Sequence, residues 1–277
     1  MEKAKINELE VDLFLEAIFK RWGYDFRDYA RASLNRRVLQ RLSISGLKRI
    51  SEMIPLVMHD QGFFENFLTD MSVTVTEMFR DPWVFKKIRE TVIPKLRTYS
   101  RINIWHAGCA TGAEAYSMAI LLREEGLLDR CHIYATDYNN NSLSLAKKGI
   151  FPINLIKSCA NNYIEAGGKS LFSDYYRAGY DSACVAKALR DRITFANHNL
   201  MNDGVFAEMN LVMCRNVMIY FDRNLQNRSL KLFSNSLAPR GFLVLGTQES
   251  LSYSDCNHEY ESFEPNERIS PASACMN

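Results

Sequence analysis

The sequence predicts an α/β fold, a parallel and doubly wound sheet that follows an all-helical segment. Strand-like apolar runs alternate with helical stretches from residue 101 onward, as in a parallel sheet covered by helices. Residues 1–80 show helical periodicity and no strong strand signal. A chain of 277 residues with 47% hydrophobic and 24% charged residues can bury a large core. We therefore expect a helical domain at 1–80 and an α/β domain at 81–277.

The helical domain is predicted to contain four helices. Leu9, Leu13, Ala17 and Ile18 would share the buried face of the first helix, which should end at Gly23. The other three are predicted at about 29–42, 50–59 and 63–71.

The α/β domain is predicted from five short apolar runs and the helices between them. The strands are expected at 102–107, 132–136, 193–195, 211–214 and 242–246, and the helices at 114–125, 143–148 and 224–237. Residues of about 158–192 break the alternation, and their paired glycines and mixed polarity predict a small inserted subdomain. The polar stretch 264–277 is expected to be a frayed tail.

Composition excludes several classes of function. The 34 Lys and Arg against 32 Asp and Glu give a net charge of +2, too little for a general nucleic-acid binder. No apolar run reaches the roughly 18 residues of a spanning helix, so no membrane insertion is expected. The chain starts with alternating charges and no signal core, which favours a cytoplasmic location. The 7 cysteines and 5 histidines are dispersed, so we expect reduced thiols and no metal site.

One segment, residues 27–49, concentrates positive charge. It holds seven basic residues and the single acid Asp28. A solvated helix face would explain this run, and so would a surface that docks an acidic partner.

A glycine-containing loop is the sharpest local signal for a ligand site. It runs from Ala107 to Glu114, where a predicted strand gives way to a helix, and Gly108 and Gly112 would let the backbone turn tightly and approach a ligand. Asp137 ends the next predicted strand. Its carboxylate could accept both hydroxyls of a ribose, or it could cap the following helix.

The loop differs from the common phosphate-binding patterns. It lacks the third glycine of the dinucleotide motif and the Lys-Ser/Thr pair of a P-loop. A nucleoside ligand without phosphates fits better, and S-adenosylmethionine is the common one.

Several ordered motifs give the chain a specific resemblance. They are Thr74–Arg80 (TVTEMFR), Gly108–Ser117 (GCATGAEAYS), Ala135–Asp137 (ATD), His198–Leu200 (HNL) and, most specific, Cys214–Phe221 (CRNVMIYF). The chain resembles the CheR-type family of chemotaxis-receptor glutamate O-methyltransferases. The resemblance implies a class I S-adenosylmethionine-dependent methyltransferase with a Rossmann-like sheet, an N-terminal all-α domain and a small inserted β-subdomain.

The resemblance also implies roles for individual residues. Thr76 and Arg80 would close over the cofactor, and Glu114 and Asp137 would hold its methionine or ribose portions. The full set of implied cofactor residues is Thr74, Thr76, Arg80, Gly108, Glu114, Asp137, Asn199, Leu200, Asn216 and Val217. Asn199 and Leu200 would border adenine, and Asn216 and Val217 would lie beside the sulfonium.

Arg80 and Tyr220 are the candidates for orienting a substrate carboxylate. Their alternatives are a surface salt bridge for Arg80 and core filling for Tyr220. A glutamate with a pKa of about 4.3 is ionised at neutral pH and needs no general base. Placement and desolvation would then supply most of the catalysis, giving S-adenosylhomocysteine and a glutamate methyl ester.

The implied partner is the cytoplasmic domain of a chemoreceptor or a related protein. Arg36, Arg37 and Arg41 on the predicted second helix would face its acidic methylation helices, with Arg37 and Arg41 one turn apart. Gln40 and Ser43 stand where the family often has arginine.

Other departures from the family pattern leave alternatives open. Ala113 replaces the first of two usual acids, Ala115 a frequent proline, and Thr74 a frequent Asn. The short stretch 176–199 puts the tethering of a receptor peptide in doubt. A non-catalytic regulatory module that binds S-adenosylmethionine or its product is the alternative function. A methyltransferase for nucleic acid or a small molecule is a third, and the low net charge and the absence of an Asn/Asp-Pro-Pro-Tyr motif argue against nucleic acid.

Overall fold

The protein is described here by a computed structural model, which covers residues 2–72, 76–251, 254–255, 257–260 and 269–272. The N-terminal helices are α1 (Glu2–Trp22), α2 (Arg31–Ser45), α3 (Met53–His59) and α4 (Gln61–Met71). A bent helical segment follows, with α5 (Pro82–Lys87), a π-helical turn (Ile88–Val92) and α6 (Ile93–Leu96). The α/β part continues with β1 (Ile102–Ala107), α7 (Ala113–Glu124), β2 (Cys131–Asp137), α8 (Asn140–Lys148), β3 (Ile150–Pro152), α9 (Ile153–Glu165), β4 (Tyr176–Ala178), β5 (Ser182–Val185), α10 (Lys187–Arg190), β6 (Ile193–Asn197), β7 (Met209–Cys214), α11 (Arg223–Ser236), β8 (Leu237–Leu245) and β9 (Ile269–Pro271).

The central sheet confirms the predicted fold class. Its strand order is β6-β2-β1-β7-β8-β9. All neighbouring pairs are parallel except β8 with β9, which is antiparallel. The carboxyl ends of β1, β2 and β7 therefore meet at one edge, and strand order reverses on either side of β1. Ligands bind at such a switch point in open α/β sheets.

Two strands lie where the sequence did not place them. Residues 150–152, ahead of the predicted insertion, form β3 and pair with β5 in a small antiparallel sheet of order β3-β5-β4. In the predicted frayed tail, residues 269–271 form β9, with Ile269 buried opposite Val244. Each is a three-residue strand, and pairing with a distant strand rather than local periodicity stabilises it.

Successive side chains of the strands point to opposite faces of the sheet, and each face packs in a separate hydrophobic core. Ile104 and Met213 pack on the face covered by α5, α7, α8 and α9. Trp105 and Val212 pack on the opposite face, together with α11 and the N-terminal helices. The helical domain thus shares a hydrophobic core with the sheet instead of standing apart from it.

The predicted apolar face of α1 was only partly correct. Ile18 is buried and Ala17 is half-buried, but Leu9 and Leu13 are 58% and 51% exposed, and Phe14 and Leu15 are buried in their place. Two apolar stripes fit the helical period here, and the stripe that carries the larger aromatic surface is buried.

Candidate functional site

A cleft of about 340 Å³ lies at the carboxyl ends of β1, β2 and β7. The sequence-predicted residues on its wall are Thr76, Arg80, Gly108, Glu114, Asp137, Asn199, Leu200, Asn216, Val217 and Tyr220. Thr74 lies outside the described residues. Segments more than 100 residues apart in sequence therefore converge on one site.

The glycine loop approaches the neighbouring β7 loop very closely. Gly108 and Gly112 adopt φ values of 74° and 85°, which favour glycine. A Cβ on Gly108 would lie 2.5 Å from Val217 Cγ2. The N–H groups of Gly108 and Cys109 both donate to the Thr136 carbonyl, at 2.8 and 2.9 Å. The loop is thus fixed to β2 and leaves no room for a side chain at Gly108.

Asp137 is a buried carboxylate on the cleft wall, 8% exposed. Its Oδ2 accepts from the Ala110 N–H and its Oδ1 from the Asn139 N–H, each at 2.9 Å. The cap of α8 is Asn139, so the helix-cap alternative for Asp137 is wrong. Burial raises the pKa of Asp137, and the backbone hydrogen bonds lower it in part. An acid placed this way can accept further hydrogen bonds from a ligand.

Glu114 belongs to a network of charged and hydrogen-bonded side chains that was not predicted from the sequence. Its Oε2 accepts from Arg215 Nη1 at 2.9 Å, and its Oε1 hydrogen-bonds His106 Nδ1 at 2.8 Å. Arg215, with its side chain 1% exposed, also contacts Asp81 Oδ2 at 2.6 Å and the Arg80 carbonyl at 3.0 Å. Burial raises the pKa of Glu114, but the His106 hydrogen bond and the Arg215 charge outweigh it, so that pKa lies below its ordinary value.

Arg80 projects from a tight turn at the cleft. The residues on either side, Phe79 and Asp81, both have φ of 54°. Arg215 holds the Arg80 carbonyl, while the exposed Arg80 guanidinium forms no ion pair with any residue that the structure describes. The side chain is therefore available to a substrate or cofactor carboxylate, and the salt-bridge alternative is not observed.

Tyr220 is half-buried at the boundary between the helical domain and the cleft. Its carbonyl accepts from the Ala30 N–H at 2.9 Å, and the Arg37 guanidinium lies 5.3 Å from its ring centroid. Tyr220 also lines the cleft, as expected for a residue placed near a substrate.

Asn199 borders the cleft beside Asp137. Its Oδ1 accepts from the Met201 N–H at 3.0 Å, and its own N–H donates to Asp203 Oδ2 at 2.7 Å. The preceding residue, His198, donates its N–H to the Asp137 carbonyl at 3.2 Å. The turn that carries Asn199 and Leu200 is thus attached to the end of β2.

Part of the wall comes from residues that the sequence did not single out. Tyr29, Met71 and Ser72 reach the cleft from the helical domain, and Tyr138 follows Asp137. Ser72 Oγ donates to Tyr138 Oη at 3.1 Å. Since these contacts depend on how the helices pack on the sheet, no local sequence pattern could have predicted them.

The predicted arginine docking face requires a correction. Arg37 is buried at 7% exposure and donates to the Asp70 carbonyl. Arg41 pairs with Asp70 Oδ2 at 2.5 Å and donates to the Asn66 carbonyl at 3.1 Å. Both side chains satisfy groups near the end of α4, whereas Arg36 is exposed. The one-turn spacing of Arg37 and Arg41 therefore serves packing between helices.

Two kinds of feature are absent from the described part of the chain. Within it, no helix is long and apolar enough to cross a bilayer. The same residues contain no group of three or more His, Cys, Asp or Glu side chains arranged to hold a metal ion.

A glycine loop after the first strand and a buried acid at the end of the second define a Rossmann-like nucleoside-binding site. Two domains of one known protein family match the chain and identify the ligand class of this site. The CheR methyltransferase SAM binding domain matches residues 74–267, and the CheR methyltransferase all-alpha domain matches residues 9–72. The chain belongs to the CheR methyltransferase family.

Individual relatives agree with this assignment. The chain is 46% identical to Cher3 of Pseudomonas putida, which carries a provisional methyltransferase name, over 97% of this chain and 98% of that one. It is 26% identical to the chemotaxis protein methyltransferase of Borreliella burgdorferi over 89% of each chain. It is also 26% identical to chemotaxis protein methyltransferase 1 of Pseudomonas aeruginosa, over 88% of this chain and 90% of that one. Among solved structures, the glycopeptide N-methyltransferase MtfA complexed with S-adenosylmethionine has a TM-score of 0.34 and 11% identity, over 56% of this chain and 48% of that chain.

Proposed function

We propose that this protein transfers a methyl group from S-adenosylmethionine to glutamate side chains on the cytoplasmic domain of a chemoreceptor or related signalling protein. The observation that carries the proposal is that one cleft of this CheR-family chain brings together three features: the buried acid Asp137, the glycine loop, and the Arg80 guanidinium, which has no ion pair among the described residues. The reaction would take place in the cytoplasm and yield S-adenosylhomocysteine and a glutamate methyl ester.

The residues of the cleft fit the cofactor chemically. Asp137 offers buried carboxylate oxygens to ribose hydroxyls, and Gly108, which has no side chain, lets its loop lie directly against Val217 on the cleft wall. Glu114, kept ionised by His106 and Arg215, can accept from the cofactor ammonium group. S-adenosylmethionine, when bound, supplies a methyl group already activated by its sulfonium.

The chain's own task is to hold and desolvate the glutamate. Arg80 can bind one carboxylate oxygen by a charge-assisted hydrogen bond and aim the other into the cleft. Tyr220, which also lines the cleft, would limit the orientations open to that carboxylate. No general base is required because the glutamate is already ionised at neutral pH.

We further propose that the exposed part of α2 contributes to receptor docking through Arg36. The charge reversal Arg36→Glu should raise the KM for receptor several-fold and leave S-adenosylhomocysteine affinity unchanged, because Arg36 does not line the cleft. An equal loss of cofactor affinity would contradict this role.

Incubation with labelled S-adenosylmethionine and cognate receptor membranes tests the main proposal. The expected result is a base-labile methyl ester on receptor glutamates. Binding of S-adenosylhomocysteine without any ester on any receptor would contradict it and favour a regulatory binding module. Absence of binding would contradict both.

A further inference from the structure

Glu249 is a buried carboxylate that no part of the proposed reaction uses. It follows β8, is 4% exposed, and does not line the cofactor cleft. Its sequence surroundings gave no reason to single it out.

The contacts of Glu249 converge on one loop. Its Oε1 accepts from the N–H groups of Val217 and Met218 at 2.9 and 2.8 Å. Its Oε2 accepts from those of Asn216 and Gly246 at 3.0 and 2.6 Å. Three of these donors are consecutive residues, and the first of them, Asn216, has a φ of 60°.

Consecutive N–H groups in such a left-handed then right-handed turn form a concavity that binds anions. Here the protein supplies the anion itself. Without the carboxylate, these buried and part-buried peptide donors would lose their acceptor, and each lost partner is costly away from water. The carboxylate therefore stabilises the turn that begins at Asn216, whose positive φ is a conformation that Asn tolerates better than most residues.

The opposite side of the same loop faces the cleft. Asn216 and Val217 line it, and Val217 packs so tightly on the glycine loop that Gly108 has no space for a Cβ. Tyr220 follows within the same turn of chain. A small shift of this loop would therefore change both the cofactor wall and the residue proposed to orient the substrate.

We infer that Glu249 is a positioning residue that holds the loop of residues 216–218 in the form that receives the cofactor. This inference rests on the proposed function, because it assumes that an S-adenosyl ligand binds in this cleft. Glu249 acts on the ligand only through the backbone of Asn216, Val217 and Met218.

The variant Glu249→Gln tests this role with almost no change of shape. One oxygen becomes an amide nitrogen, which cannot accept, so two of the four hydrogen bonds are lost. The expected result is a loss of S-adenosylhomocysteine affinity of about tenfold by calorimetry, which is the size that one net hydrogen bond contributes. The KM for S-adenosylmethionine should rise in parallel while the KM for receptor stays constant.

Asp60→Ala is the control for stability alone. Asp60 caps α4 by accepting from the Phe63 N–H at 3.1 Å and does not line the cleft. Its removal lowers the folded fraction, which reduces apparent kcat without changing either KM. Equal affinity losses in Asp60→Ala and Glu249→Gln, or an unchanged affinity in Glu249→Gln, would overturn the inference.

A measurement on the unmodified protein covers the case in which Glu249→Gln does not fold. The amide protons of Asn216, Val217 and Met218 should shift together in NMR spectra as the Glu249 carboxyl carbon titrates. Independent behaviour of these signals would overturn the inference. This measurement needs no ligand, so it is separate from the proposed function, which fails if the wild-type protein binds no S-adenosylhomocysteine.

Discussion

Arg80 is the residue on which the proposed substrate chemistry depends most directly. Its backbone is fixed by Arg215 while its guanidinium is unpaired among the described residues. We expect Arg80→Ala to lower kcat/KM for receptor methylation by about 100-fold, the size seen when one preorganised donor is removed. Unfolding free energy should change by less than about 0.5 kcal/mol, because the side chain is exposed. Methylation rates equal to those of the exposed control Arg101→Ala would contradict the role.

Asp137 should make cofactor binding depend on pH. Burial raises its pKa in the free protein, and ligand hydroxyls that donate to the carboxylate favour its ionised form. Affinity for S-adenosylhomocysteine should therefore increase as pH rises through the raised pKa and then level off. Calorimetry across that range should show the slope in the wild-type protein and lose it in Asp137→Asn. The same slope in both proteins would assign the effect to another group.

The same shift has the opposite sign for folding. A carboxyl whose folded pKa is raised contributes stability at low pH, and that contribution is lost as pH rises through the folded pKa. Asp137→Asn removes this buried charge but also one of the two accepting oxygens, so it should cost less stability at neutral pH than at low pH, while it binds the cofactor less tightly. A buried carboxylate that lowers stability but strengthens ligand binding is characteristic of functional sites.

The loops at the ends of β1 and β7 depend on each other because they are in contact. Gly108→Ala would place a Cβ 2.5 Å from Val217 Cγ2 at a φ of 74°. We expect it to lower the unfolding free energy by about 1–3 kcal/mol and to weaken S-adenosylhomocysteine binding strongly. Gly126→Ala is the matched control, since its φ is 67° but nothing lies within 4 Å of the added Cβ. If both variants bind the ligand equally, contact between the loops does not matter for the site.

Elements with strong local signals were predictable from the sequence, and those that depend on distant partners were not. The strands β1, β2 and β7 follow from apolar runs, and the glycine loop and Asp137 from their positions after strands. The strands β3 and β9 are too short to show a period and exist because another strand pairs with them. The partly wrong prediction for α1 has a related cause, since two apolar stripes fit one helix and packing selects between them.

The same distinction between local sequence signals and contacts with distant residues holds for the site. Motif residues such as Glu114 and Asn216 were identified, whereas Glu249, His106 and Tyr29 were missed. Glu249 contacts a loop some 30 residues earlier in the chain, so its role depends on tertiary structure alone. Arg37 is the converse case, because an apparent surface charge is used inside the protein.

The helical domain and the α/β domain together form the cleft and share one of the two hydrophobic cores. Phe14 and Phe67 of the helices belong to the same buried cluster as Trp105 and Phe233 of the α/β part. Backbone hydrogen bonds cross the boundary, with the Asp222 N–H donating to the Asp28 carbonyl at 2.8 Å. Removal of the helices would expose one face of the sheet and one wall of the cleft. The two family domains should therefore depend on each other for folding.

This dependence predicts a single cooperative unfolding transition. Trp22, stacked on Phe64 at 4.4 Å, reports on the helical domain, and the fully buried Trp105 reports on the sheet. In variants that keep only one of these two tryptophans and have Trp83 replaced, the tryptophan fluorescence and the circular dichroism signal should show the same melting temperature. S-adenosylhomocysteine at 100 times its Kd should stabilise both reporters equally, by about 2.7 kcal/mol. If the Trp22 signal is lost at a lower temperature than the Trp105 signal, the helical domain unfolds on its own. If the ligand stabilises only the Trp105 reporter, the helical domain does not form part of the cofactor site.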